Sequence, residues 1–266
     1  MLYPVYALLF ARAGLSTAEI SSLLAVWSIT SFTLEIPSGV WADATSRRLL
    51  LIVAPLVQAA GFGLWILAPS YPAFAAGFAL WGTAGALQSG ALEALVYEEL
   101  DRVGAAARYA HVIGRATAIG TLASMLAIGL AAPVFAAGGY SAVGAASVLA
   151  CLAGGAVAAG FPEHRTARVR DGTPGFAAYG AILRSGMAEV RSSRSLRGAL
   201  VLVPAVAAIW GALDEFLPLL ATDTGVTDET VPLLFGLVYV GVAAGGLLGG
   251  PASCLSRRAL AALLVA

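Results

Sequence analysis

Charged side chains are scarce in this chain, and a few of them interrupt otherwise apolar runs. Glu35 sits in Leu34-Glu35-Ile36-Pro37-Ser38-Gly39, Glu93 follows Gln88-Ser89-Gly90, and Arg115 precedes an uncharged run that reaches Pro162. Asp214 and Glu215 are adjacent inside the apolar stretch Gly198 to Leu220. A charge in hydrocarbon costs about 2.5–3.5 kcal/mol on insertion scales, so such residues are kept where they pair, carry protons or meet a solute. Glu35, Glu93 and Arg115 fall at similar depth and are expected to form a buried network with Arg47. That network would act as an ion-pair lock or in proton coupling. Asp214 and Glu215 are expected toward the outer side. A desolvated carboxylate there can take up a proton or attract a cationic solute, and an outer gate or interfacial position is the other reading. Trp81, Gln88, Trp210 and Tyr239 are candidate liners of a cavity, although Trp and Tyr serve equally well as packing or interface residues.

These residues need a frame, and composition says which kind. Of 266 residues, 59% are hydrophobic and 11% charged, with mean hydropathy +0.87. A soluble domain carries about a quarter charged residues, so the chain reads as an all-α, polytopic membrane protein. Net charge is zero, which argues against a nucleic-acid partner; the partners expected are lipid and a small solute. Cys151 and Cys254 suggest neither a metal site nor a disulfide framework. No cofactor is expected, no nucleotide-binding loop supports an ATP-driven pump, and neither His-Glu-x-x-His nor Gly-x-Ser-x-Gly supports an enzyme.

Leu2 to Ala11 is apolar but half the roughly 20 residues a span needs. Ile20 to Ala42 is a full span with Pro37 near its end. Leu49 to Leu92 holds 44 uncharged residues, far too many for one crossing at ~1.5 Å per residue, so it is expected to fold back at Pro69-Ser70-Tyr71-Pro72. Gly138-Gly139-Tyr140 is expected to divide Ala116 to Pro162 in the same way. The chain thus divides into a bundle over 1–161, an arginine-rich linker over 162–197 and the start of a second bundle over 198–266. Phe176 to Leu196 reads as a surface amphipathic helix or a solvated linker.

Between two apolar runs lies Gly39-Val40-Trp41-Ala42-Asp43-Ala44-Thr45-Ser46-Arg47-Arg48. Gly39 lets helix ends approach, Asp43 can accept hydrogen bonds from a helix N-terminus, and Arg47 and Arg48 pin the turn to one face. If that face is cytoplasmic and loops alternate, fourteen of the 15 arginines lie on it and only Arg12 lies outside. The chain also repeats itself. Gly14-Leu15-Ser16-Thr17 and Gly225-Val226-Thr227-Asp228 both lead into spans that end in Ser-Arg-Arg, at Ser46-Arg47-Arg48 and Ser256-Arg257-Arg258. The offset is 211 residues at Gly14 and Gly225, as at Leu8-Leu9 and Leu219-Leu220.

The Gly39–Arg48 stretch resembles the loop signature of the major facilitator superfamily, Gly-x-Leu-Ala-Asp-Arg-x-Gly-Arg-Lys, with Gly39, Ala42, Asp43, Arg47 and Arg48 matching. Trp41, Ala44 and Ser46 depart from it, and Ala44 removes an arginine usual there. The resemblance implies two six-helix halves, a multi-pass permease of the bacterial inner membrane, and secondary transport of a small solute by alternating access, efflux included, with the proton a candidate coupling ion. It implies no enzyme activity. A membrane-embedded enzyme and a non-transporting scaffold are the alternatives. The Arg of the family's fourth helix would fall near Phe78, and Pro133 follows Ala131-Ala132 rather than Gly, so two antiport features are absent. The repeat aligns Met1 with Ala212 inside a span, so a shortened first helix and an incomplete second half are expected.

Overall fold

The computed structural model describes residues 1–44, 46–164 and 213–252, together with 191, 198, 202 and 211; of residues 36, 39–44 and 242–252 it describes the backbone course alone. Among the described residues there are helices and turns and no strand. A short 3-10 turn, Tyr3–Val5, leads into α1 (Tyr6–Arg12), followed by α2 (Thr17–Ala44), α3 (Arg47–Leu67), α4 (Tyr71–Gln88) and α5 (Ala91–Arg102). Next come α6 (Tyr109–Ala159), α7 (213–223) and α8 (Val231–Ala252).

Local sequence explains most of these boundaries. Ser16 and Glu19 form a capping box at the start of α2: the Ser16 N–H donates to Glu19 Oε2 at 2.8 Å, and the Glu19 N–H donates to Ser16 Oγ at 3.3 Å. Ser46 caps α3 by accepting from the Leu49 N–H at 2.9 Å. The fold-back expected at Pro69–Pro72 is present, with α3 ending at Leu67 and α4 starting at Tyr71. The division at Gly138-Gly139 is also present: both residues leave helical geometry inside α6, which becomes two arms.

One boundary was not expected. The second arm of the Leu49–Leu92 hairpin stops at Gln88, because Gly90 takes φ +71, a left-handed conformation that only glycine adopts without cost. Glu93 therefore lies in the first turn of a separate helix, α5, rather than late in α4.

The repeat is visible in the backbone. Gly14 and Gly225 both have φ +92. The Leu15 N–H donates to Phe10 O and the Val226 N–H to Ala221 O, both at 3.1 Å, so the two helix-ending turns are built alike.

Packing is centred on α1 rather than on a long helix. Tyr6 through Phe10 are all buried, so the short element the sequence shows is wrapped on every side. Phe10 lies against Phe74 with centroids 4.1 Å apart and the rings tilted by 39°, and it meets Trp65 edge-on at 5.0 Å. The Trp65 Nε1–H finds Phe74 O at 3.1 Å, as a buried indole must. α3 packs against α4 and α6, α2 against α4, and α8 against α6. Outward, Phe32, Leu67, Ile119, Leu122 and Leu149 are exposed, an apolar surface suited to lipid. Among the described residues, Arg47–Leu67 and the broken 106–159 segment are long and apolar enough to cross a membrane.

Candidate functional site

Three groups of residues singled out by type and spacing have distinct fates. At the α2–α3 turn, Arg47 and Arg48 stand at the N-terminus of α3, where free N–H groups gather partial positive charge. The anion that meets this charge is Glu163, from the segment after α6. Its Oε1 accepts from the Arg47 N–H at 2.7 Å and the Arg48 N–H at 3.4 Å, and its Oε2 accepts from Ser46 Oγ. The Arg48 guanidinium reaches Phe161 O at 3.3 Å, and Arg47 pairs with Glu98 of α5. Gly39 lies within α2, and the Asp43 side chain lies outside the described residues. Next door, Glu99 takes the His164 backbone N–H at 2.7 Å, the His164 ring at 3.0 Å and Arg102 at 3.2 Å. Donation from the His164 backbone, then from its ring and Arg102, holds the Glu99 carboxyl below the usual carboxylate range. Sequence reasoning passed over Glu163, whose one visible mark is being the first acid after the run that ends at Pro162.

Glu35, Glu93 and Arg115 do not form a buried network. All three are exposed, and among the described residues no ion pair joins them. Glu35 Oε1 instead takes a hydrogen bond from Ser89 Oγ at 2.6 Å, at the break before α5. The break reorients α5, so Glu93 no longer continues the line of α4.

Asp214 and Glu215 come together with residues from three other elements. Asp214 is nine-tenths buried. Its Oδ2 accepts from the Tyr3 hydroxyl at 2.6 Å and the Tyr239 hydroxyl at 3.3 Å, and Glu215 Oε1 lies 3.4 Å from the same Tyr3 hydroxyl. Among the described residues, neither Asp214 Oδ1 nor the Tyr6 hydroxyl, both buried, has a hydrogen-bond partner. The Tyr3 ring meets Trp81 edge-on at 6.2 Å and Phe235 at 5.8 Å, and Phe235 stacks on Tyr239 at 5.7 Å. Trp81 and Tyr239 thus join the carboxylates. Gln88 does not: it is exposed at the far end of α4, two turns from Trp81. Trp210 lies outside the described residues.

Tyr3, Trp81 and Asp214 each stand about ten residues from the turns at Ala13, Ser70 and Thr224. At ~1.5 Å per residue that is ~15 Å along the helices from that end of the bundle.

Tyr3 was missed, and a signal for it existed. The Tyr3–Asp214 hydrogen bond spans 211 residues, the offset of the repeat. Equivalent positions of two repeats touch each other only near the axis that relates them. At the end carrying the 13–16 and 224–230 turns the halves also meet: Arg12 pairs with Asp228 at 2.7 Å, and Tyr140 donates to the same carboxylate at 2.9 Å. A cavity of about 370 Å³ opens there.

A helical bundle with an apolar surface and a buried, partly satisfied carboxylate between two repeats has the build of a membrane transporter. The family model of the Major Facilitator Superfamily matches residues 1–266, and the chain belongs to that family. It is therefore an integral membrane transporter of a small molecule, in a family of transporters rather than enzymes. No curated protein and no solved structure matches it.

Proposed function

We propose that the protein is a multi-pass permease of the bacterial inner membrane that carries a small solute by alternating access, driven by a gradient rather than by ATP. The solute would bind at mid-depth against Asp214 and Glu215, with Tyr3, Trp81 and Tyr239 around it. The observation that carries this reading is Asp214: one oxygen tied across the repeat axis to Tyr3, the other buried and unused. A buried acceptor left open costs about 1–3 kcal/mol. Such a group is retained where a ligand or proton completes it.

In this reading the α2–α3 turn faces the cytoplasm with most of the arginines, and the linker shares that side. Arg12, Asp228 and Tyr140 then close the outer end, and Tyr3–Asp214 is the pivot contact. Export is the direction we favour for a site that draws its solute from the arginine-rich side. Proton coupling would run through the same carboxylates, since a proton and a solute would compete for Asp214 Oδ1.

The reading is testable without knowing the solute. Spin labels at Ala18→Cys and Asp223→Cys, exposed positions on the two halves at the Arg12–Asp228 end, report whether that end opens. Alternating access requires two distance populations whose ratio shifts when Arg12→Ala removes the pair. One narrow population that Arg12→Ala leaves unchanged would contradict it.

A further inference from the structure

Resting on that reading of the site, we propose that the solute is an organic cation with an apolar body, bound between the Asp214–Glu215 pair and the rings of Tyr3, Trp81, Phe235 and Tyr239. Three observations converge. The two acids are adjacent, and among the described residues no arginine or histidine pairs with either, so their charge is left for something else. Buried carboxylates without a counter-charge are expensive, and a bound cation removes that cost. Second, Asp214 Oδ1 is buried and unbonded beside an Oδ2 that two phenols already serve, so the acceptor is present before the ligand.

Third, the walls are aromatic. Tyr3 bridges the acids on one side and meets Trp81 and Phe235 on the other, with Tyr239 stacked behind Phe235. Aromatic faces attract cations through the ring quadrupole, most strongly when both are desolvated, and they bury an apolar substituent at the same time. A bare sodium ion would instead demand a shell of oxygens, and rings offer none. An anion would meet two carboxylates and, among the described residues, no basic partner. A sugar would meet several rings but few hydrogen-bonding groups to read its hydroxyls.

The test is binding to the purified full-length protein in detergent, read by intrinsic tryptophan fluorescence, because Trp81 edges the site. The probes are benzyltrimethylammonium, neutral benzyl alcohol, anionic benzenesulfonate and sodium chloride. The proposal expects saturable change with benzyltrimethylammonium alone, weakened at least about tenfold in Asp214→Asn. Should that variant fail to fold, Glu215→Gln carries the same expectation. Equal responses to the neutral or anionic probe, a response to sodium that matches the organic cation, or affinity unchanged in the folded variants would overturn it. Binding without alternating access would leave this inference standing and sink the transport reading. Two-state opening with no preference for the cation would do the reverse.

Discussion

Glu163 and Asp214 are both carboxylates that accept from more than one donor, and they differ in what remains after those bonds are made. Glu163 lies outside the spans, beside water, and both its oxygens are occupied by the cap and first turn of α3. Its work is finished when the protein folds. Asp214 is buried between the repeats, with one oxygen doubly served and the other bare among the described residues. The first arrangement secures a turn at a helix N-terminus, where an anion is favourable. The second holds an unmet demand in low dielectric, which folding alone would remove by placing an apolar residue there. On the proposed reading, completeness of hydrogen bonding separates a structural acid from a working one, where residue type does not.

The comparison makes opposite predictions for the two acids. Asp214→Asn should abolish solute response and at the same time raise thermal stability. The gain should approach ~2–3 kcal/mol, because a buried charge disappears while both tyrosines still find a carbonyl acceptor. A fall in melting temperature would erase the distinction. Tyr3→Phe keeps the ring against Trp81 and Phe235 but removes the shortest bond to Asp214. It should cost ~1.5–3 kcal/mol in unfolding experiments, the worth of a bond to a carboxylate, and the loss should fall to the ~0.5–1.5 kcal/mol of a neutral bond in the Asp214→Asn background. A loss undiminished there would show that Tyr3 acts without the Asp214 charge.

On the other side, Glu163→Ala should destabilise by about 1–2 kcal/mol, the usual worth of a cap and a helix-terminal anion, with solute binding unchanged. A binding change would show that the turn and the mid-depth site are not separate.

The smallest effect concerns Glu99. Its carboxyl is held low in the folded state by His164 and Arg102, so its contribution is complete above the ordinary carboxylate range and is lost as pH falls through the depressed value. Acidification below about pH 4 should therefore weaken the 161–164 junction, by ~0.2–1 kcal/mol for a pair so near water. Limited proteolysis there should rise in wild type and stay level in Glu99→Gln.

Much of the frame was legible in the sequence. Pro and Gly mark the 68–70 turn and the Gly138-Gly139 break because those residues restrict or free the backbone locally. The repeat was legible because Gly14 and Gly225 must take the same left-handed φ. What sequence could not supply was the rotation of helices about their axes and the identity of distant neighbours. Glu35 and Arg115 are spaced as if to pair, yet both are exposed and no ion pair among the described residues joins them. Ser89-Gly90 reads as part of a span until its φ is known. Tyr3 looks like an ordinary aromatic near the start of the chain, and only its partner 211 residues away gives it a role.

The central claim is that this mid-depth site is reached alternately from the two sides of the membrane. Tyr239→Cys, in a chain whose Cys151 and Cys254 are changed to alanine, places one thiol at the site. A membrane-impermeant thiol reagent is then applied to right-side-out and to inside-out vesicles. The account predicts labelling from both sides, with prior labelling from one side blocking the other. Labelling from one side only, while a Leu15→Cys control reacts normally, would contradict it.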